Sequence, residues 1–182
     1  MPPREAPADA RRQWLDAALE VLRREGVERV RVERLAARLG ITKGSFYWHF
    51  DDRAALLDAL PRHWSQQLTD TVFERIRARA PRARVAELLR SVVLEGLGRF
   101  DPAMRAWARV DLKVARAVAA VDRRRIEAVA RLFGDAGYDA AESRARAQLL
   151  YGFLLGEHHT HGRVSRAQRA RALDRIAAIL TR

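Results

Sequence analysis

The chain has 182 residues, of which 48% are hydrophobic and 32% charged, so it is long and apolar enough to bury a core and is not a disordered tail. It contains no cysteine, which excludes disulfide bonds, thiolate zinc sites and cysteine nucleophiles. No apolar leader opens the sequence, and the longest uncharged apolar run, residues 149–156, is far shorter than the roughly 20 residues of a membrane span. We therefore expect a soluble, cytoplasmic protein.

The formal net charge of +12 suggests an anionic partner, but the surplus is unevenly placed. Residues 1–60 hold 11 Lys and Arg against 10 Asp and Glu, whereas residues 61–182 hold 24 against 13. The distal surplus has two interpretations: solvated arginine-rich faces, or a second contact surface on an architectural protein that binds DNA with little sequence preference. Bulk charge alone therefore does not locate a DNA-binding region.

The N-terminal part predicts one bracing helix. Residues 1–8 are rich in Pro and Ala and are expected to be disordered. From Asp9, a plausible N-cap, apolar residues recur at helical spacing until Gly26, which is a typical helix stop. This helix is expected to support the two short elements that follow it. Its apolar positions are Leu15, Ala18, Leu19 and Leu22.

Residues 32–50 carry the pattern of a helix-turn-helix. An amphipathic segment with Leu35 and Leu39 on one face is followed by Gly40 and then by a short polar segment. We expect Thr42 to cap that second helix by accepting a hydrogen bond from the Ser45 N–H. Two short helices joined by a glycine-containing turn are typical of a motif whose second helix enters the DNA major groove.

The second short helix is too polar and too rich in aromatic residues to be a core element. An ordinary helical hairpin within a bundle is the alternative interpretation, but a bundle has no use for several large polar and aromatic side chains on an exposed short helix. Phe46 and Phe50 are expected to pack inward, against Leu35 and Leu39. The side chains expected to face outward are Lys43, Tyr47, Trp48 and His49.

Side-chain chemistry assigns these residues to two kinds of DNA contact. The hydroxyls of Thr42 and Tyr47 and the imidazole of His49 suit phosphate oxygens, which set register without reading sequence. Lys43 can reach a guanine edge or a phosphate, and Ser45 can contact a base edge. The helix thus offers both positioning and reading contacts.

Three further positions complete the expected contact surface. Gly44 removes a side chain where the backbone must approach the groove. Trp48 offers an edge to thymine methyl groups or to the sugar–phosphate wall. Arg53 adds positive charge at the start of a fourth helix, whose free N–H groups should meet a phosphate and which Asp51 or Asp52 caps.

The segment from Arg31 to Leu60 resembles the DNA-binding domain of the TetR family of bacterial transcriptional regulators. The resemblance rests on the runs TKGSFYWHF at residues 42–50 and RAALLDAL at residues 53–60. It implies typical DNA-backbone contacts at Tyr47 and His49, and it places Arg31 where the family often has a Thr that caps the second helix. The predicted DNA-contacting set is Arg31, Thr42, Lys43, Gly44, Ser45, Tyr47, Trp48, His49 and Arg53.

Pattern and resemblance together predict an all-α protein of about nine helices. Residues 9–55 are expected to form a three-helix DNA-binding domain, and residues 56–182 a helical domain for ligand binding and dimerisation. The resemblance implies a homodimer that reads a palindromic operator and represses transcription until a small molecule releases it. Neither a cofactor nor enzymatic activity is expected. Pro61 should kink or break the fourth helix, either as a hinge or as a plain boundary where a new helix begins.

Helical spacing continues towards the C-terminus. We expect a short helix capped by Asp101, and helices with capping-box-like starts at Asp139 with Glu142 and at Ser165 with Gln168. An aromatic-rich pocket in this part would suit a flat apolar ligand, although plain core packing is the simpler interpretation. The candidate pocket residues are Trp64, Phe100, Met104, Trp107, Asp111, Tyr151 and His158.

Residues 145–156 are apolar almost all round, with Gly152 and Gly156 one turn apart. A helix that is apolar on every side must be buried on every side, so one side is expected to face its own subunit and the other a second copy. This helix and the last one would form a four-helix bundle with their symmetry mates. Burial as the central helix of a monomer is the alternative. The expected interface residues are Ala147, Leu150, Tyr151, Leu154, Leu155, Leu173, Ile176 and Leu180.

A histidine cluster at His158, His159 and His161 raises the question of a metal site. The spacing lets His158 and His161 share a helical face, but only Glu157 stands close by in sequence to complete a ligand shell, so no metal is expected. A helical enzyme that uses this cluster is the remaining alternative. The sequence has no nucleophile–base pattern and no glycine-rich phosphate loop to support it.

Overall fold

The computed structural model describes residues 7–66, 71–157 and 164–182, and its regular elements in these ranges are all helical. Ten α-helices and one short 3-10 helix are present there, against about nine helices predicted, so the all-α fold class is confirmed. The 3-10 helix, Val27–Arg29, lies between α1 and α2. The α-helices are α1 (Pro7–Glu25), α2 (Val32–Leu39), α3 (Lys43–Tyr47), α4 (Arg53–Ser65), α5 (Thr71–Arg77), α6 (Pro81–Val93), α7 (Asp101–Ala108), α8 (Leu112–Asp135), α9 (Ala140–Glu157) and α10 (Arg166–Leu180).

The described chain divides into two compact units. The first contains the chain up to Ser65 together with Phe100–Val118, and the second contains Gln66–Arg99 and Ala119–Arg182. Helices α1 to α4 and α7 therefore belong to the first unit, while α5, α6, α9 and α10 belong to the second. The domain boundary that the sequence suggested at residue 55 falls inside α4, which lies entirely in the first unit.

Helix α1 contacts α2, α4 and α7 and organises the first unit. It begins at Pro7 rather than at Asp9, and it ends where predicted, because Gly26 adopts a φ of 84° that favours glycine. The apolar positions expected to face the core are buried, and Trp14 is fully buried among them. These buried positions are Leu15, Ala18, Leu19 and Leu22.

Helix α4 runs without interruption through Pro61. No new helix begins at Pro61, so the sequence-based alternative of a helix starting there is wrong. The proline removes one backbone donor, but Leu56, Leu60 and Trp64 recur every fourth residue and are all fully buried. Burying each such side chain contributes about 1.5–3 kcal/mol, which offsets a lost hydrogen bond. The indole of Trp64 also donates to Asp101 Oδ1 at 2.8 Å, fixing α4 to the start of α7.

The second unit has its own hydrophobic core, built from α5, α6, α8, α9 and α10. Ile76, Leu89, Phe133, Leu150 and Leu173 are among its most deeply buried side chains. Helix α6 is central, because it contacts α5, α9 and α10. On the surface an ion pair between the α6 residue Arg90 and the α10 residue Asp174, at 2.7 Å, joins two of these helices.

The caps predicted for the last two helices are confirmed. The Ser165 N–H donates to Gln168 Oε1 at 2.9 Å, and the Gln168 N–H donates to Ser165 Oγ at 3.2 Å, which is a complete capping box. At α9 the Glu142 N–H donates to Asp139 Oδ1 at 2.9 Å. The cap predicted at Asp101 is wrong, because its buried carboxylate accepts from an indole instead of capping α7.

Candidate nucleic-acid interface

Gly40 sets the angle between α2 and α3. Its φ of 68° is left-handed, and its N–H donates to Ala37 O at 3.3 Å while the Ile41 N–H donates to Ala36 O at 3.1 Å. This pair of hydrogen bonds is a Schellman motif, which ends a helix and turns the chain sharply. A residue with a Cβ would be strained at this φ, so the turn depends on glycine.

The inner side of α3 is anchored by aromatic packing. Phe46 is fully buried, its ring lies 5.2 Å from that of Trp14 in an edge-to-face arrangement, and it stacks on Phe50 at 5.4 Å. Aromatic pairs of this geometry contribute about 0.5–1.5 kcal/mol each beyond their buried area. The inward packing predicted for Phe46 and Phe50 is confirmed, and it fixes the orientation of α3 relative to α1.

The outer side of α3 is open to solvent. Trp48 is 87% exposed and Tyr47 62% exposed, which is unusual for side chains of this size. Thr42, Lys43 and Gly44 are also exposed, whereas Ser45 and His49 are half-buried. The helix is shorter than the sequence suggested, since it ends at Tyr47 and leaves Trp48 and His49 in the turn that follows. All the residues predicted to contact DNA from this segment therefore lie on or beside one five-residue helix.

An ion pair that the sequence did not predict occupies Lys43. Its Nζ lies 2.9 Å from Glu33 Oε1, which joins the exposed faces of α3 and α2. Donation by the Lys43 ammonium lowers the pKa of the Glu33 carboxyl below its ordinary value. Ten residues separate the two side chains in sequence, so neither helical periodicity nor local charge counting reveals the pair. A DNA phosphate would have to compete with Glu33 for Lys43.

The side-chain cap expected at the start of α3 is absent, and α2, where Arg31 replaces the Thr frequent in the resembling family, has none either. Thr42 occupies the N-cap position of α3, but its side chain makes no capping hydrogen bond, and the Ser45 N–H donates instead to the backbone carbonyl of Thr42 at 3.2 Å. The predicted role of the Thr42 hydroxyl as a cap is wrong. Arg31 likewise occupies the N-cap position of α2 without a side-chain cap, and its Nε donates to Glu28 O at 3.3 Å.

Arg53 has a structural role that sequence reasoning missed. Its Nε donates to Val30 O at 2.6 Å and one of its terminal nitrogens donates to Val27 O at 2.8 Å, in a partly buried setting. These bonds tie the first turn of α4 to the segment that leads into α2. Asp52 caps α4 beside it, accepting from the Ala55 N–H at 2.8 Å. Contact between Arg53 and DNA stays a prediction.

The residues predicted to line a ligand pocket are divided between the two units. Trp64, Phe100, Met104 and Trp107 are buried in the first unit, where the first and third of them have no exposed surface. Asp111 caps α8 through the Lys113 N–H at 2.9 Å. In the second unit the hydroxyl of Tyr151 donates to Asp122 Oδ1 at 2.6 Å. His158 lies outside the described residues. Packing, capping and hydrogen bonding thus account for the six described side chains, and their part in a pocket stays a prediction.

Most of the residues predicted to meet a second subunit are used within one chain. Because α9 presents every third or fourth residue to α6 and its neighbours, these side chains fill the core of the second unit. Leu155 and Ile176 keep part of their surface. Other residues of these two helices are open to solvent: on α9 Leu149 is 67% exposed and Gly152 is exposed, and on α10 Ile179 is 63% exposed. The residues placed in the intramolecular core are Ala147, Leu150, Tyr151, Leu154, Leu173 and Leu180.

None of the helices within residues 7–66, 71–157 and 164–182 is long and apolar enough to cross a membrane. Over the same ranges no three His, Asp or Glu side chains gather as a metal site. The histidine cluster at residues 158–161 falls outside them.

Known proteins resemble this chain most clearly in the helix-turn-helix segment. Residues 15–60 match the sequence model of bacterial regulatory proteins of the tetR family. The chain is 33% identical over 103 residues to the HTH-type transcriptional regulator BetI of Escherichia coli, and the alignment covers 53% of this chain and 51% of the relative. The chain therefore spans about half the length of the curated relatives that it matches.

Solved structures share the fold over nearly the whole chain. A protein from Mesorhizobium loti that is named as a TetR-family transcriptional regulator has a TM-score of 0.74 at 19% identity, with 97% of each chain covered. A regulator from Saccharomonospora viridis in complex with choline has a TM-score of 0.72 at 17% identity, with 94% of this chain and 96% of that chain covered. AibR in complex with isovaleryl coenzyme A and operator DNA has a TM-score of 0.68 at 17% identity, with 94% and 98% covered. At these identities the likeness is one of fold.

Proposed function

The chain belongs to the TetR family of bacterial regulatory proteins, and from that premise we propose that it represses transcription by binding a palindromic operator as a homodimer and that a small molecule releases it. The observation that carries the proposal is the exposed pair Tyr47 and Trp48, at the end of a helix whose inner side is anchored by buried Phe46. A soluble protein gains no stability from an exposed tryptophan beside an exposed tyrosine, so this surface is best explained by a partner.

Helix α3 is suited in size and chemistry to a major groove. At 1.5 Å per residue its five residues span about 7.5 Å, so the whole helix can lie within a groove about 12 Å wide. The Tyr47 hydroxyl would reach a phosphate and Trp48 would pack on a thymine methyl or a sugar. Gly44 would let the backbone approach closely, because nothing but the Thr42 hydroxyl lies within 4 Å of the position its Cβ would take.

Arg53 holds the α2–α3 pair in position without lying on α3 itself. By holding the carbonyls of Val27 and Val30 it fixes the loop before α2, and with it the α2–α3 pair, against the start of α4. We assign it first as a positioning residue. A phosphate contact through its remaining terminal nitrogen is the second part of the proposal.

A second copy of the chain would pack on the open face of α9 and α10. Leu149 and Gly152 lie three residues apart on α9, and Ile179 lies on α10, all exposed. Burial of such apolar side chains contributes about 25 cal/mol per Å², and the glycine permits close approach of the paired helices. Two reading helices held about 34 Å apart by such a dimer would fit half-sites one DNA turn apart.

Two structural neighbours support the ligand-responsive part. The Saccharomonospora viridis regulator was solved with choline, and AibR was solved with both isovaleryl coenzyme A and operator DNA. A ligand of this chain would act only through different affinities for a DNA-competent and a DNA-incompetent conformation. Release from the operator is therefore expected of a ligand that binds the incompetent conformation more tightly.

The test is a selection of random DNA fragments on the purified chain at near-physiological salt, followed by sequencing. An enriched palindrome with half-sites about one helical turn apart is the expected result. A double variant, Tyr47→Ala with Trp48→Ala, should enrich no motif, because it lacks the two side chains proposed to contact DNA. Both side chains are exposed, so their loss should leave the fold intact. If the unmodified chain enriches no motif and binds all fragments with a steep salt dependence, the protein is an architectural DNA-binding protein instead.

A further inference from the structure

The second unit contains a cleft that the sequence did not indicate. It lies between α5, α6 and α8 and has a volume of about 420 Å³. Small-molecule sites in proteins have volumes of roughly 300–1,000 Å³, so the cleft is large enough for a ligand. Part of its wall is apolar, formed by the half-buried ring of Phe73 and the buried side chains of Ile76 and Leu132.

The rest of the lining is dominated by arginine. Arg124 and Arg131 are seven residues apart on α8 and share a face, with Ala128 between them. Together with Arg77 on α5 and Arg84 on α6, four guanidinium groups line the cleft against two carboxylates. The lining therefore carries two positive charges more than negative ones.

The two carboxylates do not cancel this charge equally. Asp135 pairs with Arg84, whose terminal nitrogen lies 2.7 Å from Asp135 Oδ2 while its other nitrogens donate to the carbonyls of Arg79 at 2.9 Å and Arg77 at 3.2 Å. Arg84 thus connects the α5–α6 turn to the end of α8 through these hydrogen bonds. Glu74 lies 3.6 Å from Arg77, and both side chains are largely exposed. This ion pair is therefore weak, and an anionic ligand can replace Glu74 beside Arg77.

We propose that this cleft binds an amphipathic anion, with an apolar tail against Phe73, Ile76 and Leu132 and a carboxylate or phosphate held by Arg77 and Arg131. The apolar wall and the cationic rim are needed together: the wall alone would suit the flat neutral ligand expected from the sequence, and the rim alone would suit any small anion. Guanidinium groups form paired hydrogen bonds with both acid types. This proposal names the ligand class for the ligand response proposed above. Anion binding itself does not depend on that function, but any effect of the anion on DNA binding does.

Binding is tested by titration calorimetry of the full chain, without DNA, against four probes of one chain length. Octanoate and octyl phosphate are expected to bind saturably. Octanol and octyltrimethylammonium, which share the tail but lack the negative charge, should bind at least about tenfold more weakly. A tighter fit for octyl phosphate than for octanoate would assign the site to phosphate-bearing ligands, and the reverse order to carboxylates. Equal binding of all four probes, or saturable binding of none, overturns the proposal.

Charge-reversal variants locate the binding. Arg77→Glu and Arg131→Glu should each lower octanoate affinity about threefold to fivefold, and the two together more than tenfold. The matched control is Arg109→Glu with Arg116→Glu, which makes the same change in net charge at two exposed arginines that do not line the cleft. Equal losses in the cleft and control variants would show a bulk charge effect and overturn the assignment. If a double variant melts early by circular dichroism, the single variants carry the test.

DNA binding is measured in parallel so that the two proposals fail separately. Cleft variants that lose octanoate affinity but retain the selected operator locate the site without touching the reading helix. A chain that selects an operator but binds no probe leaves the regulator in place and removes the cleft. A chain that binds the anions but selects no operator supports the cleft site and contradicts the proposed operator binding.

Discussion

The two units of the molecule differ in the balance of charge at their candidate sites. Around α3 in the first unit, two cations are paired: Lys43 with Glu33 at 2.9 Å, and Arg34 with Glu25 at 2.5 Å. Arg53 is engaged by two backbone carbonyls. The exposed side chains of this surface include two large aromatic ones, Tyr47 and Trp48. In the second unit, in contrast, a cleft is lined by four arginines and two acids.

The proposed DNA-reading surface does not coincide with the charge surplus of the chain. Residues 1–60 carry a net charge of only +1, yet they hold the residues proposed to contact DNA. The surplus in residues 61–182 includes the four arginines that line the cleft. Four sets of substitutions test these assignments.

Replacing Phe46 by Ala should have the largest effect. The ring is fully buried between Trp14 and Phe50, and truncations of this kind destabilise by about 3–5 kcal/mol. Chemical denaturation should show this loss together with the loss of DNA binding. Trp48→Ala is the matched control on the outer side, where the free energy of unfolding should change by less than about 0.5 kcal/mol while DNA binding weakens. Equal stability losses for the two variants would contradict the inner and outer assignment.

A pair of leucines in α9 separates core from interface. Leu154→Glu places a charge in the core of the second unit and should lower the free energy of unfolding by about 2–4 kcal/mol. Leu149→Glu, on the exposed side of the same helix, should leave that free energy nearly unchanged but convert a dimer to a monomer. Light scattering after size exclusion measures the mass. A Leu149→Glu variant that remains dimeric would move the interface away from this face.

Tyr47→Ala should weaken operator binding about tenfold, which corresponds to about 1.4 kcal/mol, because a phosphate loses a hydrogen-bond donor. Tyr47→Phe removes the hydroxyl and keeps the ring, so it distinguishes their contributions. Most of the loss of operator affinity should remain in this variant. Fluorescence anisotropy on the selected operator measures both, and the oligomeric mass should not change. Full retention of affinity in both variants would remove α3 as the reading helix.

Glu33→Gln should have the smallest effect and the opposite sign. Freed from the carboxylate, Lys43 would become available to DNA, and affinity should rise about twofold to threefold. Since the pKa of Glu33 is lowered, the pair is intact at neutral pH and is lost only as the pH falls through that lowered value. The gain should therefore be constant from about pH 6 to 8. Glu28→Gln removes the same charge from an exposed residue and is the control. An equal gain there would indicate a bulk charge effect.

The sequence predicted several local features correctly, because they depend on residue type and spacing, although the expected Thr42 cap is absent. The stop at Gly26, the capping box at Ser165 and the inward packing of Phe46 all follow from residue type and spacing. The position of α3 followed from the glycine turn at Gly40. The two turns and the capping box are fixed within a few residues of the side chains that cause them.

Features that depend on the packing of distant segments were missed. Asp101 was expected to cap α7, but its carboxylate accepts a hydrogen bond from the indole of Trp64, which is 37 residues away in sequence. The faces of α9 could not be told apart, because its apolar residues surround the helix and only α6 and its neighbours decide which side is buried. Pro61 was expected to interrupt a helix, and the buried residues on either side of it hold the helix together. The Lys43–Glu33 pair and the arginine-lined cleft likewise appear only when helices are assembled.

The unequal burial of the tryptophans has a practical consequence. All four lie in the ranges that the structure describes, and Trp14, Trp64 and Trp107 are buried while Trp48 is almost fully exposed. The chain therefore carries a natural optical reporter beside α3: solvent-relaxed, red-shifted emission that iodide can quench comes from Trp48, and quencher-resistant, blue-shifted emission from the other three. Protection of the quenchable component by an oligonucleotide, with the resistant component unchanged, reports contact at α3 without any label.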